Sequence, residues 1–305
     1  MHAFKTAIPG NRTGSRYIFH YLYPVSETEF RIPYRNGQSF FGREWSPAGE
    51  PKGVIVLVHG LSEHSGRYRH AGSFFSANGY ALIVVDLRGN GRSFGKRGHI
   101  PSYEGIMDDI TLFLAMARNR HPALPLFLYG HSLGGNLVLN YLIRCRPSVA
   151  GAIVTSPWLR LSFKPPRVKR ILAKVVDRVF PSLGRLDGII PSYLSHDEEV
   201  GRKYRADPLV HHRITVRAFI EISLAGEYAL KHADMIGCPL LLMHGTGDLL
   251  TSFAASREFS EKVTASHTFK AWKGLYHELH NEIEKEAVLG FVKEWISRVS
   301  LTKAH

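Results

Sequence analysis

Three residues of this 305-residue chain have types and spacing suited to acyl transfer. Ser132 sits in Gly130-His131-Ser132-Leu133-Gly134, Asp248 closes His244-Gly245-Thr246-Gly247-Asp248, and His277 lies in Gly274-Leu275-Tyr276-His277-Glu278-Leu279. A serine hydroxyl is a weak nucleophile, so it needs a base to take its proton and an acid to orient that base. A Gly-x-Ser-x-Gly pentapeptide is a modest signal alone, because a helix-capping serine is its plain alternative. The flanks decide. The apolar run Leu126-Phe127-Leu128-Tyr129 precedes it and a helical pattern from Leu133 to Cys145 follows. That strand–turn–helix raises a hydroxyl above a sheet edge, and small residues at Gly130 and Gly134 let strand and helix approach. Serine, then aspartate, then histidine is one of the chain orders that serine triads use. Asp248 could instead be a solvated turn residue. His280 competes with His277, but it is expected in the first turn of the next helix, less free to reach Ser132. Most of the 17 histidines are read as surface groups. A tetrahedral oxyanion needs preorganised donors, and the amides of Leu61 and Leu133 are the candidates. The plain alternative for His59-Gly60-Leu61 is a strand-ending turn.

Positioning these residues requires strands that end beside one another. Val54–Val58, Tyr80–Val85, Leu126–Tyr129, Ala152–Thr155 and Pro239–Met243 are continuous apolar runs, as expected of strands buried on both faces. Thr268–Trp272 reads as a last strand. Asn36-Gly37 joins Arg31–Pro33 to Ser39–Gly42 in a hairpin. Helices are expected over Arg67–Asn78, Tyr103–Arg120, Leu133–Cys145 and Asn281–Val299. The alternation implies a mostly parallel sheet covered by helices on both sides. Pro157 to about Asp234 interrupts the rhythm with helical patterns alone, an insertion where a lid would sit. The expected organisation is an N-terminal extension over 1–28, a core over 29–156 and 235–301, and a helical cap over 157–234 inserted after the sixth strand.

Composition sets broad limits. Hydrophobic residues make up 44% and charged residues 21%, ordinary for a globular chain. Two cysteines are too few for a disulfide framework, and Cys145 and Cys238 are expected to be buried thiols. A formal net charge of +13 suggests an anionic counterpart without choosing among lipid, nucleic acid and acidic substrate. No nucleic-acid-binding motif supports the second. No apolar run reaches the length that spans a bilayer, and the first 24 residues have no continuous apolar stretch, so no signal peptide is expected.

Longer signatures add specificity: Val58-His59-Gly60-Leu61-Ser62-Glu63-His64-Ser65-Gly66-Arg67-Tyr68, Asp86-Leu87-Arg88-Gly89-Asn90-Gly91-Arg92-Ser93, Gly130-His131-Ser132-Leu133-Gly134-Gly135 and Tyr276-His277-Glu278-Leu279-His280-Asn281-Glu282. From about Phe30 to the C-terminal helix the chain resembles the monoacylglycerol lipase and lysophospholipase branch of the α/β-hydrolases. The resemblance implies the α/β-hydrolase fold, with Ser132, Asp248 and His277 as the catalytic triad and the Leu61 and Leu133 amides as the oxyanion hole. It implies cleavage of an acyl ester from a glycerol or glycerophosphate backbone, without metal or organic cofactor. The Gly-Gly-Pro-Gly stretch usual in prolyl aminopeptidases is absent after His59, and Ser132 stands where epoxide hydrolases carry aspartate. A general carboxylesterase or thioesterase is the alternative enzyme, and a non-catalytic lipid binder the alternative of a different class.

Arg167–Phe180 places Val168, Ile171, Leu172, Val175, Val176, Val179 and Phe180 on one helical face. Arg167, Lys169, Arg170, Lys174 and Arg178 occupy the other. A basic amphipathic helix on a cap suits an anionic membrane surface, though the apolar face equally suits packing on the core. The expected placement is cytoplasmic, with peripheral membrane contact and a small-molecule lipid ester as substrate.

Overall fold

A computed structural model describes residues 26–163 and 178–302. In chain order the strands are β1 (Ser26–Pro33), β2 (Ser39–Ser46), β3 (Val54–Val58), β4 (Ala81–Val85), β5 (Leu126–His131), β6 (Gly151–Thr155), β7 (Gly184–Leu186), β8 (Arg213–Thr215), β9 (Leu240–Gly245) and β10 (His267–Trp272). The helices are α1 (Arg69–Ala77), α2 (Tyr103–Arg120), α3 (Leu133–Cys145), α4 (Glu198–Ala206), α5 (Val216–Lys231), α6 (Phe253–Lys262) and α7 (Lys285–Thr302). Eight strands form one sheet in the order β1-β2-β4-β3-β5-β6-β9-β10. β2 runs antiparallel to β1 and β4, and the others are parallel.

The central strands are the apolar runs of the sequence, and every residue of β3, β4, β5, β6 and β9 is buried. Their side chains alternate between two cores, as the pleat requires. Val54, Val56 and Val58 face the core under α2, α3, α5 and α6, while Ile55 and Leu57 face the one under α1 and α7. Each such side chain contributes about 1.5–3 kcal/mol on burial. This two-sided packing holds the strand ends, and the loops leaving them, in fixed positions.

Several expectations change. Between β6 and β9, β7 and β8 pair as an antiparallel ribbon beside α4 and α5, where helices alone were expected. Strands of three residues are too short to show a period. β1 begins at Ser26, inside the 1–28 segment expected to lie outside the fold; the remainder of that segment falls outside the described residues. So does the basic amphipathic helix, apart from Arg178, Val179 and Phe180. The last helix starts at Lys285 rather than Asn281, after a 3-10 turn over Leu279–Asn281. Cys145 is exposed and Cys238 half-buried, not buried as expected. Cys145 ends α3 in a turn with Arg144 and Arg146 that extends past the core.

Candidate active site

The β5–α3 junction places Ser132. Ser132 has φ 55° and ψ −115°, a conformation that is strained for a side-chain-bearing residue. It is held there by its own N–H to Thr155 O at 3.0 Å and by its carbonyl, which accepts from Asn136 and Trp158 N–H at 3.1 and 3.0 Å. α3 also passes very close to β3: a Cβ on Gly134 would stand 1.9 Å from Val58 O, and one on Gly130 would stand 2.4 Å from Gly134 O. The glycine spacing of the pentapeptide is therefore a packing requirement.

The loops after β9 and β10 bring Asp248 and His277 to the same sheet edge. His277 Nε2 lies 2.9 Å from Ser132 Oγ, and His277 Nδ1 lies 2.7 Å from Asp248 Oδ2. All three residues are buried. Asp248 Oδ1 accepts from the N–H groups of Leu250 and Thr251 at 2.8 and 3.0 Å. Its Oδ2 also meets Thr251 Oγ1 at 2.9 Å and His244 Nε2 at 3.0 Å. Burial alone would raise the Asp248 carboxyl, but these partners, His277 first, hold it well below the ordinary range. Burial alone would lower His277; the Asp248 carboxylate outweighs it and keeps the imidazole above its usual value. The neighbouring His131 is driven down to about 3 by burial and by His277. The line therefore contains one imidazole disposed to take a proton, beside an ionised acid.

Leu61 lies in the loop after β3, and Leu133 directly follows Ser132. Leu133 is the first residue of α3, so its N–H has no intrahelical acceptor. Among the described residues neither N–H is spent on another group. The Gly60 backbone approaches the elbow so closely that a Cβ there would lie 3.2 Å from Ser132 Cβ. Glu63 holds this loop, accepting from Gly60 N–H at 2.5 Å and Tyr68 O–H at 2.8 Å. Arg67 reaches Glu63 at 3.2 Å and Glu278, next to His277, at 2.6 Å. His59 accepts from Leu87 N–H at 2.9 Å, joining the loops after β3 and β4.

Glu63, Glu278, His244 and Thr251 were missed as members of the site. Glu63 and Glu278 lie inside the two long signatures, but the Arg67 that joins them is 211 residues from Glu278. His280 is in the 3-10 turn rather than an α-helix, buried against Tyr68 and His131 at 4.8 and 4.7 Å between ring centroids. Among the described residues its ring makes no hydrogen bond. The reading of most histidines as surface groups is corrected: among the described histidines only His196 and His267 are exposed, and His59, His64, His131, His244, His277 and His280 are buried. Among the described residues, no group of His, Cys, Asp or Glu is arranged to hold a metal ion.

The sheet order, the serine elbow and the histidine–aspartate pair define a protein of the α/β-hydrolase class. Residues 49–284 match the family described as serine aminopeptidase, S33. A monoacylglycerol lipase of Mycolicibacterium smegmatis is 35% identical over 83% of this chain and 90% of its own. An uncharacterized abhydrolase domain-containing protein of Dictyostelium discoideum is 37% identical over 83% of this chain, which spans only 27% of that protein's length. The crystal structure of Paleococcus ferrophilus monoacylglycerol lipase superposes with a TM-score of 0.76 at 32% identity, covering 90% of this chain and 99% of that one. The chain belongs to this serine aminopeptidase S33 family, in the monoacylglycerol lipase branch of the α/β-hydrolases.

Proposed function

We propose that the protein is a serine esterase cleaving acyl esters of lipid-like substrates, monoacylglycerols or lysophospholipids, through an acyl-enzyme on Ser132. The observation that carries this reading is the buried hydrogen-bonded line Ser132 Oγ–His277–Asp248 beside two unspent amides. Ser132 Oγ attacks the ester carbonyl carbon as His277 Nε2 takes its proton. The Leu61 and Leu133 N–H groups receive the oxyanion, each donor contributing about 3–4 kcal/mol in the transition state. The imidazolium, balanced by Asp248, returns the proton to the departing alcohol oxygen as the C–O bond breaks. Water, deprotonated by His277 Nε2, then attacks the acyl-enzyme carbonyl, and the imidazolium returns that proton to Ser132 Oγ as the acyl–Oγ bond breaks and the carboxylic acid leaves. A fluorophosphonate probe tests the reading: wild type should label and Ser132→Ala should not, at an unchanged melting temperature. Labelling that persists in the variant would refute it.

The same reading takes 29–156 and 235–301 as the catalytic core and 157–234 as a cap. In its support, Asp187 accepts from Ser62 Oγ at 2.5 Å, Asp207 meets His64 Nε2 at 2.9 Å, and Leu194 O accepts from Glu278 N–H at 2.8 Å. The segment thus leans on both the loop carrying Leu61 and the loop carrying His277. Peripheral contact of a cytoplasmic protein with an anionic lipid surface belongs to the same proposal. Among the described residues no helix is long and apolar enough to cross a membrane. Lys96, Arg97 and Arg213 line a cavity of about 630 Å3 between the loop after β4 and the β7–β8 ribbon. Phe180, Leu183 and Leu186 are exposed beside it. Vesicles containing an anionic phospholipid should sediment the wild-type protein more than zwitterionic vesicles do. Changing the three cations to glutamate should remove the difference, and equal sedimentation of both proteins would refute the contact.

A further inference from the structure

The Asp248 carboxylate carries a second imidazole. His244, the fifth residue of β9, is fully buried, with Nε2 3.0 Å from Asp248 Oδ2 and Nδ1 2.7 Å from Ser256 Oγ on α6. A carboxylate oxygen only accepts, so His244 Nε2 must be the protonated nitrogen. The Ser256 hydroxyl then donates to the bare Nδ1. Asp248 Oδ2 is thereby shared by two imidazole N–H groups, that of His277 at 2.7 Å and that of His244 at 3.0 Å. Thr251 Oγ1 stands between them, 3.4 Å from each ring, and has Ser156 O as an alternative acceptor at 3.0 Å.

We propose that His244, oriented by Ser256, is a positioning residue of the hydrolytic site: it holds Asp248 Oδ2 toward His277 and moderates that carboxylate's basicity. The inference rests on the triad reading above. Oδ1 accepts from two backbone N–H groups of its own loop, and the His244 donor on the buried strand β9 holds Oδ2, so the carboxylate is fixed at both oxygens. A hydrogen bond from His244 also spreads the negative charge that stabilises protonated His277. The other titratable groups facing His277 are His131 from β5, at 5.0 Å between ring centroids, His280 from the 3-10 turn, Glu278 beside it and Glu63 from the loop after β3. They remain when His244 is changed.

The sequence gives no warning of this role. In the sequence His244 only opens the loop that carries Asp248 after the strand Pro239–Met243, and Ser256 lies in a stretch given no role. Only the turn of Gly245–Gly247 brings Asp248 back over His244, four residues earlier.

The test is the pH dependence of kcat in His244→Leu and His244→Gln. Glutamine can place an amide N–H where Nε2 stands, whereas leucine cannot. His244→Leu should lower kcat about 10- to 100-fold with KM within about twofold, by loosening the acid. It should also move the acid limb upward by about half a unit to one unit, because Asp248 then stabilises the imidazolium more strongly. His244→Gln should restore the limb and most of kcat. An unmoved limb in a folded His244→Leu, or no restoration by glutamine, overturns the proposal and leaves a packing role. Nitrogen-15 NMR of the wild-type imidazoles gives a second readout without turnover, useful if the leucine variant fails to fold. His244 should carry its proton on Nε2 with Nδ1 bare, and the opposite tautomer overturns the proposal. An inactive wild type with the expected tautomer would instead remove the triad reading, and this inference with it.

Discussion

Replacing Asp248 by asparagine tests the charge line without changing its shape. The outcome follows from which oxygen faces which donor. Oδ1 accepts from two backbone N–H groups, of Leu250 and Thr251, which cannot invert. The asparagine carbonyl must therefore take the Oδ1 place. Its NH2 then takes the Oδ2 place, 2.7 Å from His277 Nδ1. Two N–H groups cannot face each other, so His277 must present a bare Nδ1 and move its proton to Nε2. Nε2 then donates to Ser132 Oγ, at 2.9 Å, instead of accepting from it. The base is lost through the wrong tautomer, although every side chain keeps its place. A tautomer error of this kind in a serine triad costs about 10⁴ in kcat, or about 5.4 kcal/mol. Steady-state hydrolysis of a monoacylglycerol series should show that fall with KM changed by no more than a few-fold. The fluorophosphonate labelling rate should fall in parallel. If Asp248→Asn keeps kcat within tenfold of wild type, Asp248 does not orient the base and the proposed line is wrong.

Three further predictions test other parts of the site. Activity needs His277 unprotonated, and the Asp248 carboxylate keeps its proton bound to higher pH than in an ordinary histidine; kcat should therefore decline as pH falls through a midpoint above 6.5, as a pH–rate profile would read. Gly134→Ala puts a Cβ 1.9 Å from Val58 O and must push α3 off β3 by more than about 1 Å. It should cost about 1–3 kcal/mol of stability and about 100-fold in kcat; wild-type melting and turnover would show that the elbow is not tightly packed. The buried Glu282 carboxylate accepts from Tyr276 N–H at 2.6 Å and His196 N–H at 3.0 Å, tying the His277 loop to the segment between β6 and β9. Glu282→Ala leaves both donors unmet and should destabilise by about 2–6 kcal/mol, readable as a melting temperature lower by several degrees.

Much of the fold was legible because strands buried on both faces have no polar side. Val54–Val58, Ala81–Val85 and Leu240–Met243 are apolar without interruption. Helix ends with local signals were legible too: Tyr103–Arg120 follows the cap of Ser102, whose Oγ accepts from Gly105 N–H at 3.2 Å. Where the signal is not local, the reading failed. Glu282 spends its carboxylate on the loop behind it, so the final helix starts at Lys285. β7 and β8 are fastened to the loop after β4, Thr215 N–H donating to Gly98 O at 2.9 Å, a contact between residues remote in sequence.

The sequence by itself determined which segments form the central strands, the strand–turn–helix at Ser132 and the candidates Asp248 and His277. These follow from periodicity and from glycine spacing, which are properties of neighbouring residues. The sequence favoured His277 over His280, three residues further on, because His280 was expected in the next helix; tertiary structure supplied the geometry that separates the two rings. The 3-10 turn sends one ring to Ser132 Oγ and buries the other between Tyr68 and His131. It also decided that His244 and Thr251 share the acid, and that Glu63 and Glu278, more than 200 residues apart, are joined through Arg67. A hydrogen bond is chosen by distance in space, and the burial that makes it matter exists only once the sheet has closed over both partners.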